Sequence, residues 1–266
     1  MRQSNYEYII LRLVRKFIFP EKFLTRYGDW VPYYRTNQGQ ISPVPIVEMY
    51  AKYCQLKNID PTGNTFLEIG SGATNCTGYE IIGRWGGSYI GYDPYAPFNH
   101  KADERIYNTQ ILNRFQHIDK KQVLRITNLN NLDKIEVDII FSHSVLEHVF
   151  DLDKLLVQLK KVMKDNTCMF HLVDYRDHFF KYPFHFLKYS ENVWNRLLNP
   201  GDLTRTRISG HINSFINAGF SPEIVYKKLD KSSFEKIKNY IHPVFKKYSD
   251  EDLATVYAVF FIQNSE

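Results

Sequence analysis

Phe66-Leu67-Glu68-Ile69-Gly70-Ser71-Gly72-Ala73-Thr74-Asn75 is the stretch from which the fold is read. An apolar strand over Thr65–Ile69 carries one acid, Glu68. It runs into two glycines separated by one residue, ahead of a helix around Gly78–Arg84. Glycines at a strand-to-helix turn reach backbone conformations closed to other residues and leave no Cβ between the main chain and a ligand. A second strand, Ser88–Tyr92, ends at Asp93, 21 residues after Gly72. A carboxylate there can accept both hydroxyls of a ribose. The pattern predicts a nucleoside-bearing cofactor at the C-terminal edge of a parallel sheet. A dinucleotide turn wants a third glycine, and Asn75 stands in its place. Glu68 suits a ligand with a cationic amino-acid end.

Working outward, strands alternate with helices. Further strands are expected at Val123–Thr127, Val137–Phe141 and Cys168–Val173. A helix capped by Asp151 carries Leu152, Leu155, Leu156, Leu159, Val162 and Met163 on one face. Later, Ile208–Ala218 reads as a helix stopped by Gly219, and Pro222–Lys227 and Ala254–Gln263 read as strands. Such alternation implies right-handed crossovers and a parallel sheet. Upstream, residues 5–19 form an amphipathic helix ended by Pro20. An irregular aromatic connection over 27–45, with Trp30, Tyr33 and Tyr34, then leads to a helix over Ile46–Leu56.

Composition narrows the classes. A chain of 266 residues buries roughly 75% of its unfolded surface. At 44% hydrophobic and 24% charged residues it is neither disordered nor a rod. No apolar run approaches the roughly 20 residues that span a bilayer, and no secretory signal is read. Cys54, Cys76 and Cys168 lie far apart, so neither a disulfide framework nor a cysteine zinc site is expected. That fits a reducing, cytoplasmic setting, and no metal site is expected at all. The net charge of +5 is mild and without a basic block, which argues against a nucleic-acid partner. The helix over 5–19 carries Arg12, Arg15 and Lys16. A packed lid is favoured for it over contact with a membrane surface.

Glu68-x-Gly70-x-Gly72, then Asp93, then Val137-Asp138-Ile139-Ile140-Phe141-Ser142-His143-Ser144-Val145-Leu146-Glu147-His148-Val149 together resemble the class I S-adenosylmethionine-dependent methyltransferases. The last segment is similar to the fourth-strand motif of their small-molecule branch. The resemblance covers about residues 60–175, with Ala218-Gly219-Phe220 later. It implies an α/β fold: a doubly wound, Rossmann-like, seven-stranded and mostly parallel sheet, with Ala254–Gln263 inserted antiparallel near the edge. It also implies an N-terminal helical extension over 1–42 and a methyltransferase domain over 43–266, with a substrate-side insertion at about 175–207. S-adenosylmethionine is the implied cofactor. Glu68, Gly70 and Gly72 would line its methionine end, Asp93 its ribose and Asn128 its adenine, with Ser142 and His143 flanking it. Asp93-Pro94-Tyr95 looks superficially like the loop of nucleic-acid amino-methyltransferases. It follows the second strand, however, and Ser142-His143-Ser144 holds the place after the fourth.

Methyl transfer to a hydroxyl asks for alignment and for a base near neutral pH. His171, Asp174, Arg176, Asp177 and His178 gather at the end of the fifth strand. His178 with Asp174 or Asp177 is the expected base and orienting carboxylate, and His143 is a further catalytic candidate. Asp174–Phe179, Phe186–Ser190, Trp194 and Arg205-x-Arg207 resemble a subgroup found with surface-polysaccharide and sugar-modification pathways. That implies a sugar, sugar phosphate or nucleotide-linked acceptor, with Arg176, Arg205, Arg207 and His211 on the substrate side. Plainer roles stand beside these: Glu147 as an intrahelical or surface acid, His148 as a helix cap, His185 and His211 as structural residues, and Trp194 as core. The competing functions are a non-catalytic cofactor-binding scaffold and a nicotinamide-dependent oxidoreductase; Asn75 counts against the latter.

Overall fold

A computed structural model describes residues 5–19, 42–115, 118–132, 136–179, 181–199 and 203–263. Pro20 and the connection carrying Trp30, Tyr33 and Tyr34 lie outside them. The seven strands are β1 (Thr65–Ile69), β2 (Ser88–Tyr92), β3 (Val123–Ile126), β4 (Val137–His143), β5 (Met163–Asp174), β6 (Pro222–Leu229) and β7 (Thr255–Gln263). They form one sheet in the order β3-β2-β1-β4-β5-β7-β6. β1 to β5 pair in parallel, and β7 runs antiparallel to both β5 and β6. This is the doubly wound, mostly parallel fold that the resemblance implied. Chain order reverses between β1 and β4, and such a switch point opens a crevice at the C-terminal strand ends.

Alternation along the strands sorts the core into two layers. Leu67, Ile69, Ile90, Ile140, Met169, Val173 and Phe260 face one way. There they meet Leu152, Leu155, Leu156 and Leu159 of α5 (Leu152–Lys160), and Ile208 and Phe215 of α6 (Ile208–Asn217). Phe66, Tyr89, Ile139, Phe141, Phe170 and Phe261 face the other way, onto α2 (Val44–Leu56) and α3 (Cys76–Trp85). Asp151 caps α5 as expected, its Oδ1 accepting from the Lys154 amide at 3.0 Å. The helix stops at Lys160, short of the predicted Met163, because Met163 already pairs with Val137 and opens β5. A helix not read from the sequence, α4 (His100–Ile106), is started by the Asn99 side chain on the Ala102 amide.

A third cluster joins α1 (Asn5–Leu13) to the chain after β5. The Tyr8 ring stacks on Tyr189 at 5.9 Å, and the Arg12 guanidinium lies 5.3 Å over Trp194. Both side chains are buried and end on the fully buried carboxylate of Asp177, Tyr8 by a hydrogen bond and Arg12 by an ion pair. Tyr6, Ile10, Phe17 and Ile18 remain exposed on this segment. No helix among the described residues is long and apolar enough to cross a membrane.

Candidate active site

The glycine turn after β1 adopts the conformations its residues allow. Gly70 and Gly72 have φ of +75° and +71°. A Cβ on Gly70 would run into the side chain of Val145, so only glycine lets the loop after β1 and the loop after β4 approach. The Gly70 amide donates to the Tyr92 carbonyl at 2.8 Å. Asp93 completes the junction. Its Oδ2 accepts from the Gly72 amide at 2.9 Å, and its Oδ1 accepts from the Tyr95 and Ala96 amides at 3.0 and 2.8 Å. One carboxylate thus joins the turn after β2 to the turn after β1.

Arg125, which the sequence reading passed over, braces the same junction from β3. Its guanidinium donates to Ser71 Oγ at 3.1 Å, to the Ala96 carbonyl at 3.1 Å and to the Gly72 carbonyl, and it lies 5.2 Å over the Phe98 ring. The signal that finds it is register: Arg125 pairs with Gly91, where no side chain intervenes before Ser71.

Glu68 lies beneath the turn rather than in the cleft. It is 4% exposed and accepts from the phenols of Tyr50, at 2.8 Å, and Tyr89. Burial pushes its carboxyl up to about 7, and the two phenols only partly offset this.

Above the turn opens a cleft of about 1030 Å³, bordered by Gly70, Asp93, Phe98, Ser144, His148 and Lys154 among others. A second hollow of about 570 Å³ adjoins it past Pro94–Phe98, with Arg125, Thr127 and Asn131 in its wall. Asn128 borders neither; it is exposed and its Oδ1 holds the Asn130 amide at 3.0 Å. Ser142 is fully buried inside the sheet, its Oγ 2.8 Å from His171 Nδ1.

At the other end of the edge, β4 and β5 finish beside the start of β7. His143 ends β4 next to Leu172, and Asp174 ends β5 opposite Tyr257 of β7. Burial lowers the His143 pKa, and the nearby Asp174 charge opposes this. Both oxygens of Asp174 accept from Arg176, with 2.6 Å between Arg176 Nη2 and Oδ2, and the arginine side chain stays 40% exposed. The carboxylate expected to orient His178 is therefore held by Arg176, and the alternative, Asp177, is held by Tyr8 and Arg12. His178 instead lies against His148, with ring centroids 4.8 Å apart.

Glu147, in the turn Leu146–His148, is buried with neither carboxylate oxygen in a hydrogen bond. Burial raises its pKa well above the usual range. The buried Tyr257 hydroxyl is likewise without a partner among the described residues, and burial raises its pKa too.

The remaining substrate-side candidates are buried and bonded inward. Arg207 is fully buried and donates to the carbonyls of Tyr175, Asp252, Leu253 and Thr255 at 2.6–3.1 Å. Arg205, 4% exposed, holds the Phe186 and Tyr189 carbonyls at 2.8 Å and pairs with Glu191. His211 is buried with its Nδ1 2.6 Å from the Tyr175 hydroxyl. Desolvation pushes the pKa values of His211 and His185 down to about 4, and that of His171 to about 3. These three are neutral core histidines.

A family model described as a methyltransferase domain matches residues 47–219. No curated protein matches the chain. The structure resembles phosphoethanolamine N-methyltransferase 2 of Haemonchus contortus, solved with phosphomonomethylethanolamine and S-adenosylhomocysteine. The TM-score is 0.55 at 15% identity, over 96% of this chain and 60% of that one. The same enzyme has been solved with S-adenosyl-L-methionine. A protein assigned as a sarcosine dimethylglycine methyltransferase from Galdieria sulphuraria gives a TM-score of 0.53 at 14% identity, over 84% and 86% of the two chains. The YcgJ protein of Bacillus subtilis gives 0.53 at 13% identity, over 82% and 99%. Likeness at these identities is likeness of fold.

Proposed function

Because the chain belongs to the methyltransferase-domain family, and is thereby an S-adenosylmethionine-dependent methyltransferase, we propose that it methylates an oxygen of a polar small molecule held where β4 and β5 end beside the start of β7. A sugar, a sugar phosphate or a nucleotide-linked precursor is the acceptor class. Gly70, Gly72 and Asp93 fit the cofactor: two positive-φ glycines leave the main chain uncovered, and a buried carboxylate stands at the strand end beneath a cleft of about 1030 Å³. When bound, S-adenosylmethionine supplies a methyl group on a sulfonium. Asp93 would hold its ribose, and Arg125, Thr127 and Asn131 would enclose its adenine end.

The observation that carries the oxygen assignment is the grouping of His143, Asp174 and Arg176 where β4 and β5 end. Burial keeps His143 neutral near pH 7, so it can take the proton of an acceptor hydroxyl, and Asp174 favours the imidazolium that results. Arg176, partly exposed and paired with Asp174, is the guanidinium that would meet an anionic substituent.

Calorimetric titration of S-adenosylmethionine and S-adenosylhomocysteine tests the cofactor site. Asp93→Ala removes the acceptor of three amide hydrogen bonds, each worth about 1.5–3 kcal/mol when the acceptor is charged. We expect affinity at least about 100-fold weaker in this variant, and no binding by folded wild type would overturn the site. A panel of hydroxyl and amine acceptors tests the rest. Turnover confined to amines would overturn the oxygen assignment.

A further inference from the structure

The geometry points to a divalent metal site formed by Glu147, His148 and His178, at the acceptor end of the cofactor cleft. Three ligand atoms, one from each residue, lie within 4.8 Å of one another. Around a single first-row cation such atoms sit roughly 3–3.5 Å apart, given bonds of about 2.0–2.2 Å, so rotations of the side chains alone can close the set. The two imidazoles already converge, with ring centroids 4.8 Å apart and planes inclined at 57°.

The carboxylate supplies an independent reason. Glu147 is 4% exposed, and among the described residues neither of its oxygens is in a hydrogen bond. A buried carboxylate without a donor is costly, and such groups are ordinarily paired or bound to metal. Two imidazoles and a carboxylate oxygen gathered within 4.8 Å of one another can take a cation as their common partner.

The two halves of the site are held from outside it. The Glu147 carbonyl accepts from the Thr204 amide at 3.0 Å and from its hydroxyl at 3.1 Å, which fixes the Leu146–His148 turn. Asp177, the residue before His178, is fixed by Tyr8, by Arg12 and by the Phe179 amide at 3.1 Å. A site built from distant parts of the chain is thus positioned before any ion arrives.

The donor set names the class of ion. Imidazole nitrogens suit zinc, iron, nickel and copper, and carboxylate suits manganese and magnesium. Two histidines with one carboxylate favour a first-row divalent cation such as Mn²⁺, Fe²⁺, Co²⁺ or Zn²⁺. Three protein ligands leave positions for water or an acceptor oxygen. His148 borders the cofactor cleft, so the site adjoins it.

The function of the ion rests on the oxygen-methyltransferase reading; its binding does not. An acceptor hydroxyl on the ion is more acidic than in water. On that reading His143 would take its proton, its oxygen would form the new O–CH₃ bond as the S–CH₃ bond breaks with the electron pair going to sulfur, and S-adenosylhomocysteine would be left.

The test uses the full chain, stripped with chelator and titrated with Co²⁺ and Mn²⁺, the first read by visible absorption and the second by electron paramagnetic resonance. We expect one equivalent bound by wild type. Affinity should fall by about tenfold or more in Glu147→Gln and in His178→Asn, by analogy with losses seen for lesser changes around metals. S-adenosylhomocysteine binding is measured on the same samples. No metal binding by wild type, or equal binding by both variants, overturns the site while leaving the cofactor reading intact. Metal binding without cofactor binding leaves the site and removes the role given to it. If Glu147→Gln fails to fold, His178→Asn, on a partly exposed loop residue, carries the comparison.

Discussion

The two ends of the C-terminal edge are built on opposite terms. Where β1 and β2 finish, each oxygen of Asp93 accepts from an amide, and Arg125 fastens both neighbouring turns. Where β4 and β5 finish beside the start of β7, the buried Glu147 carboxylate and Tyr257 hydroxyl have no hydrogen-bond partner among the described residues, and His143 is half-buried. A saturated network holds one geometry because any departure strands a polar group. An unsaturated one keeps binding capacity for something that comes from outside. On the function proposed above, the first is a rigid seat for the cofactor and the second a set of groups with capacity left for an acceptor.

The contrast can be broken most sharply through α1. Arg12→Ala leaves Asp177 fully buried without its cation, and we expect a loss of roughly 3 kcal/mol in urea unfolding, the scale for breaking a buried pair. If the two ends are separate units, cofactor affinity measured by calorimetry stays within about twofold while turnover falls. A parallel loss of both would show one unit instead of two.

Next in size is Gly70→Ala at the rigid end. It forces a side chain into φ of +75° and against Val145. A cost of about 2 kcal/mol follows for the strained backbone, with cofactor affinity reduced in step, as melting and titration on the same sample would reveal.

A smaller effect sharpens the comparison by pH. Glu68 has its pKa raised by burial from 4.5 to about 7, so the fold favours its neutral form. Its contribution to stability is complete below about pH 4.5 and is lost as pH rises toward 7. The difference in unfolding free energy between wild type and Glu68→Gln should drift by roughly 1–2 kcal/mol from pH 5.5 to 7, against wild type. A flat difference would mean that the carboxyl is already charged.

Least of all, Tyr257→Phe removes a buried hydroxyl that has no partner, so stability should stay within about 0.5 kcal/mol or improve. Lost turnover in that variant would then place the hydroxyl on the acceptor.

The same contrast explains what the sequence disclosed. The cofactor end is written locally: Glu68, Gly70, Gly72 and Asp93 lie on consecutive strands, and the turn chemistry of glycine is visible without a partner. Arg125 escaped because its place depends on the pairing of β3 with β2. The acceptor end is assembled from α1, β4, the chain after β5 and β7, and residue type alone does not disclose burial. Arg205, Arg207 and His211 have the donors a phosphate or sugar needs, yet each is turned inward, onto carbonyls or onto a phenol. Asp177 reads as an acid beside a histidine, while its partners stand in a helix far up the chain. Glu147 and His148 read as members of a helical turn, and only the approach of His178 gives them another meaning.

The bond between Tyr8 and Asp177 spans 169 positions of sequence. On the ribosome the first helix emerges early and then waits for its partner, roughly 10–30 s at 5–20 residues per second. Through that interval Arg12 and the ring of Tyr8 have no pocket, and β5 has no β7 beside it. The strands that seat the cofactor are by then synthesised, so a nascent chain could gain its nucleoside pocket well before it gains anywhere to put an acceptor.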